Sequence, residues 1–172
     1  MSKKMRNNII ACGAMVVLSF GIIMGIKFAN GDFGAKENKV SISVDGFTSQ
    51  DATVSEAFCL LDDADQTTGY VVTVSAVGFN AASPIVMNVT FGTDKTTIQK
   101  FEVADQQETQ GLGGNVATPE FQAAFEGVTA PVYTGTMDAN GTAFDQITGA
   151  TISSVAVANA INAASEFLAT VE

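Results

Sequence analysis

Histidine is absent from the 172 residues, and with it go imidazole acid–base catalysis and histidine metal sites. Cysteine is nearly absent. Cys12 and Cys59 are too few for a thiolate metal cage, and Cys12 stands inside an apolar run, so no bridge between the two is expected. Cys59, within Ala57-Phe58-Cys59-Leu60-Leu61, is expected to be a small buried hydrophobe rather than a reactive thiol. Such a chain does not depend on disulfides. Basic residues are scarce where they would matter for anionic partners. Lys3, Lys4, Arg6 and Lys27 fall in the first 28 positions, and no acid precedes Asp32. From residue 29 onward four bases stand against 18 acids, a balance of −14. That field repels nucleic acid phosphates and anionic lipid head groups, and both are excluded as partners. What the chain does have is apolar content, 47% against 15% charged, which suffices for one domain with a real core.

The bases at the N-terminus have a reason to be there. Residues 1–8 are short and basic, and Ile9 to Ile26 then runs 18 residues without a charge. That is close to the ~20 needed to cross a bilayer. A cleaved leader is disfavoured, because Lys27 and Phe28 leave no small-x-small cleavage pattern after the run, and Cys12 is misplaced for a lipoprotein. Residues 9–28 are therefore expected to form an uncleaved membrane helix. Positive charge before it and acidic charge after it place residues 1–8 in the cytoplasm and the body of the protein outside. Gly21 and Gly25 form a GxxxG pair that permits close approach of a second membrane helix. Residues 29–49 read as a juxtamembrane linker, and residues 50–172 as the domain.

Within the domain the pattern is first β-rich. Val54 to Leu61 and Gly69 to Ala76 are expected strands around the turn Asp62-Asp63-Ala64-Asp65, which lacks the spacing and terminal glutamate of an EF-hand loop. Ile85 to Phe91 and Thr97 to Val103 make a second hairpin around Gly92-Thr93-Asp94-Lys95. A helix follows, with Thr118 as N-cap, Pro119 in the first turn, Phe121 and Phe125 on one face and Gly127 as the stop. Val132 to Thr134 is a short strand before a turn at Asp138-Ala139-Asn140-Gly141. No internal repeat is present. The fold class expected is α+β: antiparallel strands with packed helices behind the membrane helix.

Two stretches carry chemistry. The first is Glu108-Thr109-Gln110-Gly111-Leu112-Gly113-Gly114, whose glycines match neither a dinucleotide fingerprint nor a Walker loop. Closely set glycines would let backbone amides approach a flat ligand, with Leu112 as an apolar contact. The second is Asp145-Gln146-Ile147-Thr148-Gly149-Ala150-Thr151-Ile152-Ser153-Ser154. It feeds a helix expected from Ser154 to Ala169, with Val157, Ile161, Ala164 and Leu168 on one apolar face. A hydroxyl-rich turn at a helix N-terminus makes an anion site, because free N–H groups and the helix dipole both favour negative charge. From spacing alone an ordinary Ser/Thr cap after a glycine turn explains this stretch equally well.

Taken together the two stretches resemble motifs of the FMN-binding domain family, which includes the G subunit of Rnf complexes and the C subunit of Na⁺-translocating NADH:quinone oxidoreductase. Asp145 with Thr148-Gly149-Ala150-Thr151 resembles the family's flavinylation motif, and Glu108 to Gly113 is similar to its E-T-P-G-L-G element. Gly69-Tyr70-Val71-Val72 and Gly78-Phe79 resemble an earlier strand and turn of the same domain. Gln110 replaces the usual proline, Gln106-Gln107 stands where a histidine often precedes the glutamate, and Asn80-Ala81 lacks the glycines that often follow the aromatic turn.

The resemblance implies FMN held covalently by a phosphoester to Thr151. It implies phosphate contacts from Thr148, Ser153 and the amides of Gly149 and Ala150. Glu108 and Thr109 become hydrogen-bonding partners of the flavin, with Gly111, Leu112 and Gly113 against it. It also implies a separate Mg²⁺-dependent flavin transferase reading Asp145, no metal site in the chain itself, and other membrane subunits of an Rnf-type complex as partners. The expected role is electron relay within an Rnf-type ferredoxin:NAD⁺ oxidoreductase that pumps Na⁺ or H⁺, with no separate substrate site. An Nqr C-like subunit and a free-standing flavinylated carrier for extracellular electron transfer are alternatives. A non-redox surface domain, with the threonine-rich turn only a cap, is a third.

Overall fold

The structure is a computed structural model and describes residues 38–135 and 141–172. The expected membrane helix, residues 9–28, and residues 138–140 of the last expected turn lie outside the described residues.

The architecture follows from one clean alternation. In β4 (Ile85–Phe91) the side chains of Ile85, Met87, Val89 and Phe91 are buried, while those between them are half-buried on the opposite face. Period-two patterning of this kind fixes which face of a sheet meets the core. The strands β1 (Asn38–Ile42), β2 (Ala52–Leu61), β3 (Thr67–Ala76), β4 and β5 (Ile98–Asp105) pair antiparallel in sequence order. The hairpin turns are those expected. Asp62 Oδ1 accepts from the amides of Ala64 at 2.8 Å and Gln66 at 2.9 Å, which closes the β2–β3 turn through an aspartate side chain. Asp94 does the same between β4 and β5. The Thr97 hydroxyl, and then the Thr97 amide, hold its carboxyl below the usual carboxylate range.

β1 corrects the expected domain boundary. It lies inside residues 29–49, assigned to a linker, yet pairs with β2 from Asn38↔Leu61 to Ile42↔Ala57. It is an edge strand with two apolar residues, Val40 and Ile42, both only half-buried. So little alternation gives no signal in sequence, and Lys39 on the edge fits its exposed position.

One face of the sheet is covered by α2 (Thr151–Thr170), which packs on β2, β3 and β4. Val157, Ile161, Ala164 and Leu168 are buried as expected, and Ala156, Ala158, Ala160 and Ala163 are buried beside them. Alanine on several faces lets this helix be enclosed by the sheet and by smaller elements. α2 is long and apolar enough to cross a membrane by length and composition, but 61% of its most apolar window is buried within the domain.

The smaller elements position the site. A 3₁₀ turn, Gly113–Ala117, leads into α1 (Pro119–Ala123), where Thr118 Oγ1 accepts from the Phe121 amide at 3.4 Å. The helix stops sooner than expected, before Gly127, but Phe121 and Phe125 still meet edge to face at 5.3 Å. Phe125 also contacts Phe101 of β5 and Phe144 at 4.9 Å each. Such ring pairs contribute about 0.5–1.5 kcal/mol each beyond the area they bury. Phe144 ends β7 (Thr142–Phe144), which pairs parallel with β6 (Val132–Thr134). The phenylalanine cluster therefore fixes the point from which residues 145–150 depart toward α2.

Candidate functional site

Helix α2 begins at Thr151, earlier than the Ser154 start expected from sequence. The reason is local. Gly149 adopts φ +78°, a left-handed turn that suits glycine, and Ala150 C=O then accepts the first helical bond, from the Ser154 amide at 3.0 Å. Ser154 closes the turn with its side chain. Its buried hydroxyl donates to Ala150 C=O at 3.0 Å and accepts from the Ile147 amide at 3.1 Å. Thr151 is thus the first helical residue, with its side chain exposed.

No side chain among the described residues caps this helix, and its first turn contains no acid. The amides of Thr151, Ile152 and Ser153 consequently point outward at the positive end of a 20-residue dipole.

Facing this helix start is a cleft of about 310 Å³. It collects Glu108, Thr109, Leu112, Gly113, Gly149, Ala150, Thr151 and Ser153 from the two expected motifs, which are far apart in sequence. Phe79 and Ile152 complete the wall. Asp145, Thr148 and Gly111 are not in it. Asp145 and Thr148 are exposed near the turn, and Gly111, at φ +76°, lines a neighbouring cleft of about 380 Å³ with Gln106, Gln107, Gln110, Gly114 and Asn115. Glu108 is common to both clefts.

Glu108 and Ser153 bond to each other across the cleft. Glu108 is buried and accepts from the Phe79 amide at 3.2 Å, the Asn80 amide at 2.9 Å and the Ser153 hydroxyl at 2.5 Å. Its carboxylate braces the cleft from within, and the Ser153 hydroxyl is spent on it. What Ser153 retains for a ligand is its backbone N–H. Gly113 is explained by the same brace: a Cβ there would meet Ser153 Oγ and come within 2.5 Å of Glu108 Oε2. Gly78 flanks the carboxylate from the other side, where a Cβ would lie 2.6 Å from Glu108 Oε1. These two glycines make room for a buried carboxylate, and Gly113 also lines the cleft.

Sequence reasoning missed Phe79, Ile152 and Ser154 as site residues. Phe79 is 67% exposed and Ile152 55% exposed, and with Leu112 they give the cleft an apolar rim. An aromatic directly after Gly78 was the available signal for Phe79. Ser154 had none, because its role depends on a turn geometry that spacing does not reveal.

Residues 78–166 match the family model of an FMN-binding domain, a span of just over half of the chain that takes in every residue of the cleft. The chain belongs to the FMN-binding domain family. It is 37% identical over 112 residues to the G subunit of an ion-translocating oxidoreductase complex of Methanosarcina acetivorans, a match covering 65% of this chain and 57% of that relative. Among solved structures it is similar to the C subunit of the Na⁺-translocating NADH-quinone reductase from Parabacteroides distasonis, at TM-score 0.55 and 25% identity over 66% of this chain and 60% of that one. The fold is also shared with Shewanella oneidensis NqrC, at TM-score 0.53 and 20% identity, over 67% and 62% of the two chains. The chain therefore spans less than two thirds of the length of each of these relatives.

The site of this FMN-binding domain fits its cofactor. The volume falls within the ~300–1,000 Å³ usual for cofactor clefts. Uncapped amides at the start of α2 suit a phosphate, the exposed Thr151 hydroxyl stands beside them, and Phe79, Leu112 and Ile152 offer apolar surface to a flat ring system. No lysine or arginine lines the cleft among the described residues.

Proposed function

We propose that this protein is a membrane-anchored electron carrier with FMN bound covalently to Thr151, acting as the G-type subunit of an Rnf-type ion-translocating ferredoxin:NAD⁺ oxidoreductase. The observation that carries this reading is the Thr151 hydroxyl, exposed on the first turn of α2 and set on the wall of the cleft that unites both motifs.

The lack of a cation in the described lining supports the covalent link. A domain with a −14 balance after residue 28 and a lysine-free cleft would retain a dianionic phosphate poorly on helix amides alone. A phosphoester removes that difficulty, since the bond holds the group and the amides only orient it. In attachment, Thr151 Oγ1 forms the new P–O bond to the FMN phosphorus of FAD. The pyrophosphate P–O bond breaks, AMP departs and the threonine proton is released. A separate flavin transferase performs this step, and exposed Asp145, just ahead of the turn, is the feature it reads.

Bound FMN supplies one- and two-electron redox chemistry, and the protein supplies attachment, position and partial exclusion of water. Thr109 and the amides of Gly149 and Ser153 are the candidate polar contacts on the wall. The Ala150 amide, expected to contact phosphate, is already given to the Ile147 carbonyl at 2.9 Å. Leu112 packs over Gly149, where a Cβ would lie 3.4 Å from the leucine methyl. The open rim suits exchange of electrons with neighbouring subunits rather than enclosure of a substrate.

The likeness to the solved C subunit of Na⁺-translocating NADH-quinone reductase favours a second reading, an Nqr C-type role. The higher identity to the Methanosarcina G subunit, 37% against 25%, ranks the G-type reading first. Intact mass of the protein purified from membranes tests the proposal. Mass added by one FMN, less water, is expected; an unmodified mass in the presence of the transferase would overturn it.

A further inference from the structure

Glu108 is the one buried carboxylate among the described residues. All three hydrogen bonds that its carboxylate accepts come from neutral donors, the Phe79 and Asn80 amides and the Ser153 hydroxyl. The brace thus joins three separate segments of the cleft: the turn after β3, the first turn of α2 through Ser153, and the glycine loop that Glu108 itself opens. The position is carved for it, because side chains at Gly78 or Gly113 would collide with the carboxylate. The loop is held on the far side as well, where the Glu108 amide donates to Gln106 Oε1 at 2.7 Å.

A charge so placed does two things. It locks the segments that form the wall, and it sets a fixed negative potential inside a largely apolar cleft, where screening by water is weak. We propose that Glu108 is the residue that poises the cofactor site, its neutrally solvated carboxylate biasing bound flavin against accepting electrons while tying the start of α2 to the turn after β3.

This rests on FMN occupying the cleft, and the sign of the effect distinguishes it from a purely structural role. Adding electrons to a flavin adds negative charge, so a nearby carboxylate makes reduction harder. Glu108→Gln keeps the shape. Its carbonyl oxygen can accept from the Asn80 amide, and its NH₂ can donate to a turned Ser153 hydroxyl, so only the Phe79 bond is lost. Removing the charge is expected to move the reduction potential to a more positive value. Ser153→Ala retains the carboxylate and deletes the donor at 2.5 Å, which leaves the charge less compensated. It is expected to move the potential to a more negative value.

The experiment is a spectroelectrochemical titration of full-length protein co-expressed with the transferase, with FMN content of each sample read by intact mass. Exposed Glu126→Gln, the same charge change away from the cleft, is the control and should leave the potential unmoved. Opposite shifts for Glu108→Gln and Ser153→Ala support the proposal. Shifts of the same sign, or shifts no larger than that of Glu126→Gln, overturn it. Should Glu108→Gln fail to accumulate, Ser153→Ala alone decides: a negative shift supports the proposal, and an unchanged or positive one overturns it. Wild-type protein without FMN would overturn the proposed function itself, and this inference with it.

Discussion

At the scale of single residues, the site separates an exposed hydroxyl from the groups that brace its wall. Thr151 is exposed and on the cleft wall, so its hydroxyl is available and its loss should not harm the fold. Thr151→Val is expected to change stability by no more than about 0.5 kcal/mol, as for surface positions generally. It should accumulate in the membrane, lack in-gel flavin fluorescence and fail to support electron transfer by the complex. Thr148→Val is the matched control. Thr148 lies outside the cleft wall, so covalent flavin should persist, and covalent flavin on Thr151→Val would overturn the attachment assignment. Gly113 belongs to the second group. Gly113→Val drives a branched side chain into Glu108 and Ser153, an overpacking change expected to cost about 1–3 kcal/mol. Urea unfolding of the purified domain measures it, and unchanged stability would show that the loop yields more easily than the brace implies. The proposed attachment residue, Thr151, and the turn before it stood out in the sequence because they resemble a motif. The brace did not, since nothing in Glu108-Thr109-Gln110-Gly111 says that the glutamate turns inward to meet a serine 45 positions later.

At the scale of elements, legibility followed the strength of the periodic signal. β4 alternates without fault and is expected at its observed bounds, whereas β1, with two half-buried apolar residues, reads as linker. The start of α2 is expected too late because Thr151, Ser153 and Ser154 look like cap and turn residues. In the structure Ser154 satisfies the turn from inside the helix, so helix and turn overlap. The attachment of β6 is likewise invisible in sequence. Asn162 on α2 accepts from the Val132 amide at 2.7 Å and donates to the Val132 carbonyl at 2.9 Å, acting as a one-residue extension of a β-ladder. Val132 is fully buried, so Asn162→Ala strands both backbone groups away from water. The expected cost is ~1–3 kcal/mol. Amide exchange should locate the loss, with faster exchange at Val132 and unchanged protection in β3 and β4. Uniformly faster exchange would mean that the side chain supports the whole domain instead of one strand.

At the scale of the whole molecule, the question is which apolar segment meets the membrane. Ile9–Ile26 runs 18 residues without a charge, and α2 has the length and composition of a span, but α2 supplies one wall of the core and carries Thr151 at its head. Placing α2 in lipid would expose the inner faces of β2, β3 and β4 to water, including Val72, Val74, Met87 and Val89, which are fully buried. Burial of each such side chain is worth about 1.5–3 kcal/mol, so the domain would not survive the exchange. The proposed anchor is therefore residues 9–28, and the charge distribution gives its expected orientation. Lys3, Lys4 and Arg6 precede the span, and the chain beyond residue 28 carries the −14 balance. Two results are expected. Chain starting at Ala29 should remain in the aqueous phase with its sheet and α2 intact by circular dichroism, whereas the full chain sediments with membranes. Protease added to intact spheroplasts should digest the acidic domain and leave only a short N-terminal fragment. Complete protection of the domain in spheroplasts, with digestion only after lysis, would reverse the topology. It would also place Thr151 on the wrong side of the membrane for a transferase acting outside.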